Sequence, residues 1–475
     1  MNLTNYYTKE ILAKTKTKIK KIFFFRVCGT GMGTAAYLLK SAGYSVEGYD
    51  IEYFPPMSTY LESTGITLHK KISQAKLQGY DLIVTGNIVR RNSDDAHMIE
   101  ECGTPFASFP ATLGALLLDD REVVGIAGTH GKTTTTWLAT QVYENLGKEP
   151  GYFIGGVPSK RNSAQIGKEK FFIESDEYDS AYFEKFSKFR QYSLNHMILT
   201  SLEFDHADIF NNINQIINEF KSILPDIEGN IISNNEYPAI EELYKLGTSP
   251  ANWIFYGEKS KTCPIIVETS HDSTKFIITT DEEHVFTTNI TGYHNILNLA
   301  SVILFALKDG FETSQINSAI KNLGMVKRRQ ENRGLYKNSI VIDDFAHHPR
   351  AIKVTIDAII QKYPDKKIIT FIEPKSATAR SNIFQNEFAE ALEKSQSVLI
   401  LQPNPTTVKF ASDLDTQKIV QDLAKKNIPA KIINELPQLI QSIEDNAKDN
   451  NLLLFLSNST CLGLWESEFI HQLTN

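Results

Sequence analysis

The sequence predicts an α/β fold in three domains, each built on a mostly parallel sheet. Three observations carry that expectation. Short apolar runs alternate with helix-spaced stretches along nearly the whole chain, the pattern of parallel α/β layers. Two of those runs end in glycine turns followed at once by a helix, at Gly29-Thr30-Gly31-Met32-Gly33 and at Gly128-Thr129-His130-Gly131. The 475 residues, at roughly 150 residues per domain, set the count near three.

Residues 1–21 carry Lys9, Lys14, Lys16, Lys18, Lys20 and Lys21 without a compact apolar pattern and read as a solvated, Lys-rich leader. The first domain, 22–120, opens on the apolar run Phe23 to Val27, turns at the glycines and continues in AAYLLKSAGY, whose helical spacing is closed by Gly43. That is a Rossmann-like strand, turn and helix. Its next strand-like piece, SVEGYD, ends at Asp50, about 20 residues after the glycines, where a nucleotide-binding βαβ unit often keeps a ribose-binding acid. Another strand-like run spans Asp81 to Thr85. The second domain, 121–325, is P-loop ATPase-like, with strand-like runs at Val123 to Ala127 and Phe171 to Glu174 and a helix at Asn295 to Leu307. The third, 326–475, alternates VIDDF, KKIITF and SVLILQ with the helices AIKVTIDAIIQKY and NEFAEALEKS, another α/β unit. No fixed-period repeat or low-complexity tract is present, which excludes a solenoid.

An apolar fraction of 41% and a charged fraction of 22% are ordinary globular values and rule out wholesale disorder. A net charge of −7 lacks the basic excess of a nucleic-acid binder. Cys28, Cys102, Cys263 and Cys461 form no CxxC pair, so neither a disulfide framework nor a zinc knuckle is expected, and a reducing cytoplasm fits. The longest early apolar run, Ile22 to Val27, is interrupted by Arg26 and too short for a membrane span or a signal-peptide core. The expectation is a cytoplasmic protein without membrane insertion, a monomer or weak homo-oligomer.

The strongest chemical signal is VVGIAGTHGKTTTTWLATQVYENLG, where a strand runs into a glycine turn, then Lys132, then hydroxyl residues at the head of a helix. Amides of the turn and helix start suit phosphate oxygens, Lys132 neutralises the β and γ phosphates, and the Thr133 hydroxyl suits Mg²⁺. Ile126 stands where the strict GxxxxGK[ST] pattern wants glycine, so the match is partial. The first glycine cluster gives only GxGxG and cannot separate a nicotinamide cofactor from another nucleotide diphosphate. Downstream, Glu174, Asp176, Glu177 and Asp179, then Asp205, His206 and Asp208, end apolar runs and offer the hard ligands that Mg²⁺ takes. TGYHNILNLAS brings His294, Asn295 and Asn298, whose amides suit a purine edge, while VKRRQENRG and IDDFAHHPRAI bring arginines for phosphate and a strand-end acid for ribose. For His347 and His348 a helix start before Pro349 is an equal alternative. A nicotinamide-dependent oxidoreductase and a P-loop motor remain open on these residues alone.

In order, GTGMG, GTHGKTTT, ESDEYD, EFDHADIF, GYHNILNLA, KRRQE and DDFAHHP resemble the signatures of the Mur ligases, the ATP-dependent amide-forming enzymes of peptidoglycan assembly. The likeness runs from about Arg26 to Cys461. It implies a UDP-sugar domain, a central ATPase domain and a Rossmann-like C-terminal domain that binds the peptide and closes over ATP, with ATP as co-substrate and Mg²⁺ as cofactor. By the resemblance, Gly29, Thr30, Gly31, Met32 and Gly33, with Asp50, Ser58, Gly86 and Asn87, hold the UDP-sugar. Gly128, Thr129, His130, Gly131, Lys132, Thr133 and Thr134 wrap the ATP phosphates. Thr133, Glu177 and His206 bind metal, His294, Asn295 and Asn298 bind adenine, Arg329 and Asp344 reach phosphate and ribose, and His347 lies near the reacting groups.

Within the family, YFPPMSTYLE, FIGGVPS, ESDEYDSAYFEKFSKF and LEFDHADIF are most similar to the branch that joins the tripeptide L-alanyl-γ-D-glutamyl-meso-diaminopimelate to UDP-N-acetylmuramate in peptidoglycan recycling. The branch that adds L-alanine is the alternative. Three features depart from the family pattern or stand apart from it. Gln330 stands where relatives often carry an aromatic residue or Met, SNSTCLGLW is poor in glycine, and Lys221, at the spacing of a lysine that some relatives carbamylate, reads as solvated.

Overall fold

The computed structural model describes all residues except 54–56, 157, 159–160, 271 and 475. Phe54 to Pro56 of YFPPMSTYLE, and Val157 and Ser159 of FIGGVPS, lie outside the described residues. The chain divides into two compact units, one of residues 1–203, 213–263 and 299–319, the other of 204–212, 264–298 and 320–475.

The first unit holds two sheets. The strands β1 (Lys21–Phe25), β2 (Ser45–Tyr49), β3 (Thr67–His69), β4 (Leu82–Thr85) and β5 (Phe106–Ser108) form a parallel sheet in the order β3-β2-β1-β4-β5. Phe23, Phe24 and Phe25 are all fully buried, as expected of a central strand covered on both faces. The helix Thr30–Ser41 follows β1, so Thr30 to Gly33 form its first turn; the turn itself occupies residues 26–29.

The second sheet comprises β6 (Glu122–Ala127), β7 (Gly151–Phe153), β8 (Ala164–Gln165), β9 (Lys170–Ser175), β12 (His196–Leu199), β13 (Asn230–Asn234) and β14 (Asn252–Tyr256). A two-stranded ribbon, β10 (Asp179–Ala181) with β11 (Glu184–Ser187), interrupts it in sequence. The sheet order is β14-β13-β12-β6-β9-β7-β8, parallel except for β8. β6 is central and feeds the helix Lys132–Asn145.

The segment 1–21 departs from the expected solvated leader. Thr8 caps a short helix, Lys9–Thr15, whose Leu12 is fully buried, and Ile19 is 3% exposed. Phe106 N–H donates to the Asn5 carbonyl at 2.9 Å and Tyr7 N–H to the Phe106 carbonyl at 2.8 Å, so the segment extends the edge at β5. The Tyr6 hydroxyl donates to Glu184 at 2.7 Å. The lysines mask this in sequence because they keep their charges outside while the few apolar positions turn inward; Lys9 meets Asp119 and Lys16 meets Asp120, each at 2.9 Å.

In the second unit, β15 (Ile265–Thr269), β16 (Thr274–Thr279) and β17 (Glu283–Thr288) make an antiparallel sheet that the α/β pattern did not foresee. The larger sheet takes β18 (Glu331–Tyr336), β19 (Ser339–Asp344), β20 (Lys367–Glu373), β21 (Ser397–Leu401), β22 (Ala430–Ile433) and β23 (Asn451–Ser457) in the order β18-β19-β23-β20-β21-β22. Only β18 is antiparallel. Successive residues alternate between two cores: Ile342, Ile372 and Leu454 face one, Val341, Phe371 and Phe455 the other. Both faces of this sheet are therefore buried.

Candidate active site

The phosphate loop begins where β6 ends. Gly128 has φ +131° and Gly131, which precedes the helix Lys132–Asn145, has φ +85°. Only glycine takes these conformations cheaply, so the two glycines define the turn. Ile126 breaks the strict pattern without consequence because it is still strand and fully buried. Ser201 and Thr200, beyond β12, fix the loop: the Ser201 hydroxyl accepts from His130 N–H at 2.8 Å, and the Thr200 hydroxyl donates to the His130 carbonyl. Thr129 exchanges hydrogen bonds with Glu203, accepting from its N–H at 2.8 Å and donating to its carbonyl at 3.2 Å. This lock lies about seventy residues from the loop it holds. Its trace in the sequence is the hydroxyl pair that closes the buried run HMIL.

Lys132 Nζ donates to Glu177 at 3.0 Å and to the Gly128 carbonyl at 2.6 Å, with Asp176 at 3.9 Å. Burial would lower the Lys132 pKa, but Glu177, Asp176 and Glu174 outweigh it and raise it above the usual value, so the ammonium stays charged. Ala127 pairs with Ser175, so Lys132 and Glu177 emerge beyond the carboxyl ends of neighbouring strands, where open α/β sheets bind ligands. Glu177 is 2% exposed and Thr133, second residue of the helix, 7%. A buried carboxylate and a hydroxyl at a helix start are donors that suit Mg²⁺. If Glu177 is a metal ligand, Glu177→Ala is expected to raise the Mg²⁺ concentration for half-maximal activity by about tenfold or more, read from a metal titration.

The first glycine cluster sits at the carboxyl end of β1, with Gly86 and Asn87 at the end of neighbouring β4. A side chain on Gly33 would come within 2.5 Å of Met57 Sδ and 3.2 Å of the Val27 carbonyl, so glycine is required there by close packing. Ser58 is buried in the short helix Met57–Ser63. Asp50 is turned towards the loop: it accepts from Cys28 N–H and from Ile51 N–H, each at 2.8 Å, and faces Arg26 at 3.5 Å. Those bonds tie the glycine turn to β2.

In the second unit, His206 has φ +55° and follows Asp205, which is 5% exposed. Burial would raise the Asp205 carboxyl, but His206, His347 and His348 together hold it well below the usual carboxylate range. His347 Nδ1 lies 3.0 Å from the Phe345 carbonyl. His348 caps the helix Pro349–Lys362, accepting from Arg350 N–H at 3.3 Å, so the helix-start reading holds for it. Asp344 accepts from Gln330 N–H and Ala346 N–H, each at 2.8 Å. Burial raises its pKa, opposed by Arg329.

His294 and Asn298 share one face of the helix Tyr293–Lys308, four residues apart. Asn295 donates to the Thr291 carbonyl at 3.1 Å. Burial first, then Arg329, pushes His294 down to about 4, and Gln330 Nε2 lies 3.2 Å from its Nε2. With an unfolded value near 6.5, the folded chain binds fewer protons than the unfolded one between these limits, so stability is lost as pH falls from about 6.5 to 4, by up to about 3 kcal/mol. Melting curves across that range should steepen for the wild type and flatten for His294→Gln.

With this geometry in place, comparison with known proteins decides the family. Residues 21–121 match the Mur ligase family catalytic domain, 126–306 the Mur ligase middle domain, and 328–459 the Mur ligase glutamate ligase domain. The UDP-N-acetylmuramate:L-alanyl-gamma-D-glutamyl-meso-2,6-diaminoheptandioate ligase of Haemophilus influenzae is 32% identical over 94% of this chain and 98% of its own. The chain belongs to the Mur ligase family. This Mur ligase therefore has the three-domain α/β fold of the family and is an ATP-dependent ligase that forms an amide bond. A UDP-N-acetylmuramate–L-alanine ligase of Streptococcus mutans is 29% identical over 97% of each chain. The crystal structure of a murein peptide ligase from Psychrobacter arcticus superposes with a TM-score of 0.71 at 28% identity, covering 96% of this chain and 99% of that one. Among the described residues, no helix of this Mur ligase is long and apolar enough to cross a membrane.

Proposed function

We propose that this Mur ligase joins L-alanyl-γ-D-glutamyl-meso-diaminopimelate to the lactyl carboxylate of UDP-N-acetylmuramate, with ATP cleaved to ADP and phosphate. The observation that carries the activation step is Lys132 at the head of its helix, its Nζ held between the Gly128 carbonyl and Glu177. The tripeptide is favoured over alanine because the relative named for tripeptide addition is the more similar, 32% against 29%.

A carboxylate and an ammonium do not condense near neutral pH, because the leaving oxygen is poor and the amine is protonated. The lactyl carboxylate oxygen attacks the γ phosphorus, the bond to the β,γ-bridging oxygen breaks, and ADP leaves. Two anions meet in that step. Lys132 and the amides of the loop offset the repulsion and stabilise charge on the transferring oxygens. By the family resemblance, Thr133, Glu177 and His206 would hold Mg²⁺, which would supply further neutralisation of phosphate charge. His294, Asn295 and Asn298 bind adenine, and Arg329 and Asp344 bind phosphate and ribose. The glycine turn after β1, with Met32, Ser58, Gly86 and Asn87, binds the UDP-sugar, Asp50 acting through the turn it holds. The deprotonated amine of the tripeptide then attacks the acyl carbon, His347 takes the proton that the new amide nitrogen sheds, and the carbon–oxygen bond to phosphate breaks.

Mass spectrometry tests the choice of substrate. UDP-N-acetylmuramate and ATP are offered equimolar tripeptide and L-alanine, and the expected product carries the tripeptide mass. Incorporation of alanine alone would replace this reading with that of the L-alanine-adding branch.

A further inference from the structure

Of the two adjacent arginines in VKRRQE, the reaction as proposed uses only Arg329, yet Arg328 is held at several points by the chain around it. Arg328 has φ +59° and Gln330 φ +50°, so the residues on both sides of Arg329 are left-handed. That conformation is costly for a non-glycine residue and persists only where its surroundings over-determine it. Here they do. Arg328 Nη2 donates to the Ser457 carbonyl at 2.6 Å and Nε to Asp343 at 3.2 Å. Arg328 N–H donates to Glu331 at 2.8 Å, and the Arg328 carbonyl accepts from Phe345 N–H at 2.9 Å. On the far side of Arg329, Gln330 N–H is fixed by Asp344. Both guanidinium groups lie over the Phe345 ring, Arg328 at 5.5 Å and Arg329 at 4.9 Å.

Asp343 is the unusual member. It is fully buried at the end of β19, and its Oδ1 has no hydrogen-bond partner. A buried carboxylate satisfied on one oxygen is costly, and a stability role alone would be served as well by a neutral residue. The other Asp343 oxygen pairs with Arg328 at 3.2 Å.

We propose that Arg328 and Asp343 are positioning residues: the ion pair of half-buried Arg328 with buried Asp343, together with the Ser457 carbonyl, fixes the double left-handed kink that presents Arg329 to the phosphates of ATP. The inference rests on the reading of Arg329 as a phosphate contact. It carries a pH dependence. Burial pushes the Asp343 carboxyl up to about 6, opposed by Arg328 and Arg333 and assisted by Glu331; the buried thiol of Cys461 also faces it. Below that pH the carboxyl takes a proton, the pair loosens, and Arg329 loses its support.

The test uses the full-length enzyme, with kcat and the KM for ATP and for UDP-N-acetylmuramate measured from pH 5.5 to 8 in the wild type, Asp343→Asn, Arg328→Lys and Arg329→Ala. Asp343→Asn is expected to raise the KM for ATP about tenfold while the KM for the UDP-sugar stays within twofold. The variant should also lose the part of the wild-type acid rise in KM for ATP centred near pH 6; the titration of ATP itself is common to both. Arg328→Lys keeps the charge without the two-pronged geometry and should show the same selective rise, which supplies the measurement should Asp343→Asn fail to fold. A KM for ATP within twofold of wild type in the folded variants, or equal rises for both substrates that track a fall in melting temperature, overturns the positioning role. If Arg329→Ala also leaves the KM for ATP unchanged, the reading of Arg329 falls with it.

Discussion

Replacing Lys132 with Ala is expected to lower the rate of phosphate release, with all substrates present, by about a thousandfold or more. Lys132 is kept charged by three carboxylates despite its burial, and its ammonium is one hydrogen bond from both the loop carbonyl of Gly128 and Glu177. Removing it takes away the cation that meets charge developing on the transferred phosphoryl group and leaves Glu177 buried without that partner. The second effect predicts a further signature: Glu177 in the variant loses its ion pair, so melting temperature should fall as well as activity. Lys132→Arg keeps a charge but not the compact ammonium and should recover little. Activity within tenfold of wild type in Lys132→Ala would remove the cradle from the mechanism.

Gly128→Ala should cost about 3 kcal/mol or more of stability and abolish nucleotide binding. Gly128 has φ +131°, a region that alanine avoids. A Cβ there would sit 2.6 Å from Thr200 Oγ1, 2.7 Å from the Ser201 carbonyl and 2.8 Å from Ser201 N. Two of those atoms are backbone and cannot swing aside, so the loop must leave β12 and the hydroxyl lock at Thr200 and Ser201 opens. Gly29 supplies the control, since a side chain there meets nothing within 4 Å and its φ is −69°. Thermal melts and ATP-binding isotherms of Gly128→Ala and Gly29→Ala, side by side, check both halves; equal, small effects would contradict the packing at Gly128.

The parts of this enzyme that were legible in the sequence are those whose chemistry is local. A strand, a glycine turn, a lysine and a helix within a dozen residues specify a phosphate cradle, and β6 with the helix Lys132–Asn145 forms it. What holds the cradle is not local, because Thr200 and Ser201 reach it only once β12 pairs with β6. The segment 1–21 was misread because six lysines dominate a composition in which two buried residues, Leu12 and Ile19, decide the packing. Of the antiparallel sheet, β16 and β17 alternate buried residues with exposed or half-buried ones over six residues each, a period-2 signal present in KFIIT and HVFTT but overshadowed by the α/β pattern around it. Asp50 and Asp344 illustrate a different limit. Spacing identifies an acid at a strand end, but only the structure shows that each accepts two backbone N–H groups and so shapes a turn.

The central claim is that the sugar-borne carboxylate is activated by the terminal phosphoryl group of ATP. It is tested most directly by preparing UDP-N-acetylmuramate with both lactyl carboxylate oxygens labelled with heavy oxygen and following the label through one turnover with tripeptide and ATP. The attacking oxygen leaves with the phosphoryl group when the amide forms, so the account predicts one labelled oxygen in inorganic phosphate for each amide made and none in ADP. Unlabelled phosphate, or label carried into AMP, would contradict it.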